Sequence, residues 1–133
     1  MAARTFVIPE TEYTAQYYLA ADIFICTSRI ESYPRVILEA MAFGLPVVST
    51  PCYGIVEQVR AGVNGDFYEA GDAKELAAKI AGLVQDPARR NRYARNAGLV
   101  LKTLTDFDEM VTKYASIFAE ALASIEGPRR KIE

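Results

Sequence analysis

Histidine is absent from all 133 residues. That absence removes imidazole acid–base chemistry, Ser-His-Asp triads and histidine metal sites. Cysteine is scarce: Cys26 lies in an apolar run and Cys52 in a turn-like stretch. With no metal-ligand or disulfide spacing, both are expected to be reduced structural thiols in a cytoplasmic protein. No run reaches the roughly 18 to 20 apolar residues that a membrane helix needs. The start, Met1-Ala-Ala-Arg-Thr5, lacks the charged-then-apolar order of a signal peptide. A formal net charge of −2 gives no general attraction to nucleic acid or anionic lipid.

What remains is ordinary for a globular chain, with 51% apolar and 24% charged residues, too apolar for a disordered tail. Short apolar runs alternate with helical periodicity, the pattern of an α/β domain. Strands are expected at Phe6–Ile8, Asp22–Cys26, Pro46–Ser49 and Asp66–Tyr68. Asp22–Cys26 is apolar on both faces, as a covered parallel strand should be. Helices are expected over Glu12–Ala20, Pro34–Phe43 and Ile55–Arg60. Pro34 suits a first turn and Gly44 a helix stop. Asn64-Gly65 reads as a turn. From Asp72 onward the chain is helical. Asp72 and Glu75 have capping-box spacing, Asp86-Pro87 opens a second helix to about Leu101, and a third runs from Asp106 to about Ile125.

These elements make half of a doubly wound, Rossmann-like parallel sheet of three to four strands with helices at its C-terminal side. Residues 1–126 are expected to form the domain and 127–133 a frayed tail. A doubly wound sheet continues beyond its first strand, and nothing before Phe6 supplies further strands. An open sheet edge pairs readily with another chain, so homo-oligomerisation through that edge is expected.

The stretch Ser28-Arg-Ile-Glu31-Ser-Tyr-Pro-Arg-Val-Ile-Leu-Glu39-Ala-Met-Ala-Phe-Gly44 follows a strand and opens a helix. Open α/β sheets bind ligands at this end, and a helix start favours anions. A phosphate fits near Ser32 to Val36. Glu39 is conspicuous among Val36, Ile37, Leu38, Ala40, Met41, Ala42 and Phe43, because a carboxylate in so apolar a helix needs a partner or a ligand. Physics alone leaves open whether Glu39 serves a ligand or only points to a cleft or accepts hydrogen bonds from backbone.

Glu31 and Glu39 are separated by seven residues, and the pair resembles the E-x7-E motif of the group 1 retaining glycosyltransferases. Tyr17-Tyr18-Leu-Ala-Ala-Asp22, Thr27-Ser28-Arg29-Ile-Glu31 and Glu39-Ala-Met-Ala-Phe-Gly44-Leu-Pro46-Val-Val are similar to that family's successive motifs. Gly54-Ile-Val-Glu57, Gly62-Val-Asn-Gly65 and Gly71-Asp72 continue in its order. The resemblance implies the donor-binding C-terminal part of a two-Rossmann (GT-B) enzyme that transfers sugar from a nucleotide diphosphate with retention. It implies that Glu31 lies at the reacting sugar carbon and that Ser32, Tyr33, Arg35 and Val36 hold the sugar and diphosphate. Glu39 would accept hydrogen bonds from the ribose hydroxyls, with no cofactor and no metal required. The family's glycines after the first glutamate are here Ser32 and Pro34. Pro34 has no N–H to give, so that donor falls to Arg35, Val36 or a side chain. For the Arg35 side chain, phosphate binding and plain solvation stay equally open. The family's upstream basic pair and its acceptor-binding domain are not in this chain, which is therefore expected to be catalytically incomplete alone. The last helix resembles one that packs back across the domains.

Other features read more plainly. Asp106-Phe-Asp108 looks like a metal-binding D-x-D, but it opens a helix and is read as a cap. Arg89, Arg90, Arg92 and Arg95 form a basic face, taken as solvated. Tyr13, Tyr17 and Tyr18 are read as helix packing in preference to base stacking. Asp22 and Asp66 are read as strand starts and not as an acid cluster. Two other readings of the chain stand beside the enzyme: a stand-alone nucleotide- or anion-binding α/β module, and an isolated self-associating subdomain.

Overall fold

The computed structural model describes residues 4–126. It falls into two compact units, Met1–Lys102 and Thr103–Glu133. The first holds a parallel three-stranded sheet in the order β1 (Phe24–Cys26), β2 (Val47–Ser49), β3 (Gly65–Phe67). Phe24 pairs with Val47 and Val47 with Gly65, so each residue of β2 stands between partners on both sides. Around the sheet lie α1 (Thr14–Ala20), α2 (Arg35–Ala42), α3 (Ile55–Gln58), α4 (Ala73–Gln85) and α5 (Pro87–Leu101).

The central strand is buried throughout, as a parallel strand covered on both faces must be. Val48 packs with Tyr68, Leu83 and Tyr93 toward α4 and α5, and Ile23 and Leu76 lean on that cluster. A second cluster joins Tyr18, Ala40 and Leu45, with Phe24 against it. Ile25, opposite Val48 in the register, is exposed. The expectation of a strand covered on both faces thus fails for β1, because it is the sheet's edge and the helix layer over Val48 stops short of it. Phe6–Ile8 is not a strand either. Phe6 and Val7 are 80% and 91% exposed, and a strand without a ladder partner or a packed face gains nothing from being extended.

Most helix boundaries follow local chemistry. Gly44 ends α2 in the left-handed region (φ 71°), where a Cβ would be strained. Asp86 caps α5 by accepting from the Arg89 N–H (2.9 Å), with Pro87 in the first turn. Asp72 caps α4 by accepting from the N–H groups of Lys74 and Glu75. The reciprocal arm of the expected capping box differs. Glu75 accepts from the Glu69 N–H (2.7 Å) instead, because the Asp72 N–H already donates to the Glu69 carbonyl. Pro34 sits one residue before α2, at its N-cap.

The arginine face of α5 is not simply solvated. Arg89 donates to Asp66 (2.7 Å) and to the Tyr93 hydroxyl (3.0 Å), and Tyr93 donates in turn to Asp66 (3.2 Å). Its pKa is raised, first by the Tyr93 hydrogen bond and then by the Asp66 charge, against an opposing effect of burial. Arg90 donates to the Leu83 carbonyl, and Asn96 to the Val63 carbonyl. The Asp66 contacts tie α5 to the middle of β3, and the carboxyl ends of β1 and β2 run into loops.

The second unit contains α6 (Phe107–Glu126), capped by Asp106 through the Glu109 N–H (2.9 Å). The expected cap at Asp106 is therefore present. Tyr114 and Phe118 stack along its apolar stripe. The expected tail at 127–133 lies outside the described residues. No described helix is long and apolar enough to cross a membrane.

Candidate functional site

The carboxyl end of β1 runs into a loop, residues 27–34, before α2 begins. This loop is tied down at its root. The Ser28 carbonyl accepts from the Thr50 hydroxyl, and the Cys52 thiol lies 3.7 Å from the same oxygen. The buried Cys26 thiol approaches the Ser28 hydroxyl at 3.6 Å. Both cysteines are free, and both brace this loop. Further along, Gly54 presses on the loop's backbone: a Cβ there would lie 1.8 Å from the Ser32 carbonyl oxygen and 3.0 Å from the Tyr33 ring. Tyr53 beside it is the one described non-glycine residue with positive φ (39°), turning the chain tightly enough to bring Gly54 in.

On this frame Glu31 is half-buried and accepts from the Ser28 hydroxyl (3.2 Å). Together with Ile30, Ser32 and Tyr53 it lines an open hollow of about 410 Å³. Ser32 is exposed, and Tyr33 half-open. Burial, and then the Glu57 charge, push the Tyr33 phenol up, so it remains a neutral donor.

The helix start follows at once. No side chain caps α2; the Ile37 N–H donates to the Pro34 carbonyl (3.3 Å), which leaves the Arg35 and Val36 N–H groups of the first turn without an acceptor inside the helix. Its N-cap carbonyl, that of Pro34, accepts from the Gln58 amide (3.2 Å), which ties the helix start to α3. Gln58 is fully buried, and its Oε1 has no hydrogen-bond partner. Val36 is partly exposed and the Arg35 side chain is 89% exposed.

Glu39 corrects an expectation. Its side chain is 40% exposed, on a face of α2 shared with Arg35, Val36 and Phe43. The apolar neighbours that suggested burial divide between this face and the core, where Ile37, Ala40 and Met41 lie. One carboxylate oxygen accepts from the Tyr18 hydroxyl (3.0 Å), and the other stands 3.9 Å from the Arg35 guanidinium. Burial, and then the bond to Glu39 and its charge, push the Tyr18 phenol up to about 12. The partner that the sequence demanded is thus a tyrosine of α1, packed as expected, and the carboxylate is still open to a ligand.

The structure brings Glu31 and Ser32 to one hollow, and sets Arg35, Val36 and Glu39 along the exposed side of the helix that follows. Sequence reasoning missed Tyr18, Thr50, Cys52 and Gln58 as the residues that hold this frame. None had a local signal, since each acts on a segment more than twenty positions away. Among the described residues, no group of three or more cysteine and carboxylate side chains is placed to hold a metal ion.

The family profile "Glycosyl transferases group 1" matches residues 2–99. A curated D-inositol 3-phosphate glycosyltransferase 1 from Catenulispora acidiphila is 41% identical over 115 residues, covering 86% of this chain and 27% of its own. The present chain therefore spans about a quarter of that relative's length. Among solved structures, a sucrose-phosphate synthase from Thermosynechococcus elongatus superposes with a TM-score of 0.77 at 28% identity, over 90% of this chain and 30% of its own. The Anabaena protein HepE, solved in complex with UDP, superposes with a TM-score of 0.66 at 34% identity, over 82% of this chain and 29% of its own. HepE has also been solved in complex with UDP-glucose.

Proposed function

The chain belongs to the group 1 glycosyltransferases, and from that membership we propose that it is the part of such an enzyme that binds a nucleotide-diphosphate sugar. The observation that carries this reading is the uncapped start of α2 with the Glu39 carboxylate one turn inside it, held but not covered. Free N–H groups and the helix dipole suit a diphosphate. A fixed carboxylate suits the paired hydroxyls of a ribose. HepE, with UDP and UDP-glucose bound, supports the ligand class.

In this reading the backbone of Tyr33, Arg35 and Val36 and the loop at Ser32 hold the sugar and diphosphate, and Arg35 adds charge. Glu31, anchored by Ser28, stabilises positive charge at the sugar's anomeric carbon. Transfer is retaining. The bond from that carbon to the diphosphate oxygen breaks, the acceptor hydroxyl bonds to it from the same face, and its proton passes to the leaving phosphate. The acceptor is bound by a further domain outside this chain, and no metal is given a role.

Calorimetric titration with UDP, GDP, ADP and their glucose or mannose conjugates tests the proposal. Micromolar to millimolar binding of one base series, weakened at least tenfold by Glu39→Ala, is expected. Absence of binding to every member of the set would refute it. A second reading concerns assembly: β1 has no strand on its outer side among the described residues, and this edge is proposed to pair with a second copy.

A further inference from the structure

We propose that Tyr18 is a positioning residue for the donor site, holding the Glu39 carboxylate in the orientation that receives a ligand's vicinal diol. The inference rests on the donor-site reading and adds to it the residue that prepares the site before a ligand arrives.

A half-exposed glutamate samples many rotamers, and fixing it on binding costs affinity. Glu39 avoids much of that cost because one oxygen is already engaged by the Tyr18 hydroxyl at 3.0 Å. The tyrosine is itself held. It is 8% exposed, its ring lies nearly parallel to Phe43 at 5.3 Å, and Phe24 packs on it at 5.9 Å. A ring fixed by two aromatic neighbours cannot swing to follow the carboxylate, so the carboxylate must come to the hydroxyl. The other charged group at Glu39, Arg35, is 3.9 Å from the second oxygen and almost wholly solvated, too loose to set the geometry.

The result is an asymmetric carboxylate. Among the described residues, Oε2 accepts one hydrogen bond, from Tyr18, and Oε1 accepts none. Adjacent hydroxyls of a ribose can donate one bond to each. The Tyr18 phenol, pushed up to about 12, keeps its proton through the neutral range, and of its two acceptors the carboxylate at 3.0 Å is nearer than the Val36 carbonyl at 3.5 Å.

The test uses this chain, its Tyr18→Phe and Glu39→Gln variants, and UDP, GDP and ADP beside their 2′,3′-dideoxy forms. Tyr18→Phe keeps the ring stack and removes only the hydroxyl. The unaltered chain should prefer the ribose form. Tyr18→Phe should lose roughly tenfold in affinity for it while binding the dideoxy form unchanged, and Glu39→Gln should do the same. A purely structural role would weaken both forms alike, and that result would overturn the positioning role while leaving the donor site standing. Failure of the unaltered chain to bind any of the three would overturn the donor-site reading and the diol role with it. The clasp has its own readout, which needs no nucleotide: in a ¹³C-tyrosine NMR titration, Tyr18 should ionise near 12 and shift down in Glu39→Gln. A Tyr18 titration that Glu39→Gln leaves unmoved would overturn the clasp.

Discussion

At the scale of single residues, the loop between β1 and α2 is shaped by contacts that tolerate little change. Gly54 has an ordinary φ of −65°, so its glycine is required by closeness and not by backbone freedom. A methyl group 1.8 Å from the Ser32 carbonyl oxygen must push backbone, which a core accommodates only at a cost of about 1 to 3 kcal/mol. Gly54→Ala is expected to destabilise the chain by that amount in urea unfolding and to weaken nucleotide binding by displacing Ser32 and Tyr33. Tyr18 makes a second prediction, in pH. Its folded pKa of about 12 lies above the ordinary value of 10.0. The protonated form is therefore favoured by folding, and its contribution is complete below pH 10 and lost as pH rises from 10 to 12. Denaturant midpoints across that window should fall more steeply for the unaltered chain than for Tyr18→Phe.

Glu39 also shows how far a local pattern reaches. Its apolar neighbours marked it as needing a partner, and it has one. The pattern could not show which helix face would be left open, because Val36 and Phe43 look as apolar in sequence as Ile37 and Met41. Only packing divides them.

At the scale of elements, the sheet is fastened to α5 by Asp66, Arg89 and Tyr93. Asp66 has a side chain only 9% exposed, so removing its cationic partner leaves a poorly solvated carboxylate. Arg89 is itself about one-third exposed, which moderates the loss. Arg89→Ala is expected to cost on the order of 2 kcal/mol and Tyr93→Phe about 1 kcal/mol, measured by equilibrium unfolding in urea. A basic stripe on a helix was legible in the sequence. That part of it faces a carboxylate in the middle of β3 was not, since the two lie 23 positions apart.

Helix ends were more legible, because a cap acts within three residues. Asp72, Asp86 and Asp106 each accept from backbone N–H groups where the sequence placed them. Short strands were less so. Val47–Ser49 is buried by neighbours on both sides, whereas the equally apolar Phe6–Ile8 has no ladder partner. Strand formation is a property of pairs, and a single run of residues carries only half of it.

At the scale of the whole molecule, the sheet has three strands with β1 at one edge and Ile25 open upon it. If this edge pairs between copies, sedimentation velocity should show a dimer that forms with rising concentration, and Ile25→Lys should shift it to monomer. A monomer at every concentration would remove the second reading and leave the donor site untouched. The chain covers 27% of the curated relative and 30% of the sucrose-phosphate synthase structure.

The sequence by itself determined the α/β class, the order of most helices and strands, the caps, and the family, because periodicity, capping and motif spacing are written over a few residues at a time. Tertiary structure alone decided which face of α2 is open, that Tyr18 holds Glu39 across 21 positions, and that Gln58 bonds to the N-cap carbonyl of α2 across 24. Such contacts depend on where the chain returns after a helix or a strand, and that path is fixed by packing of the whole core.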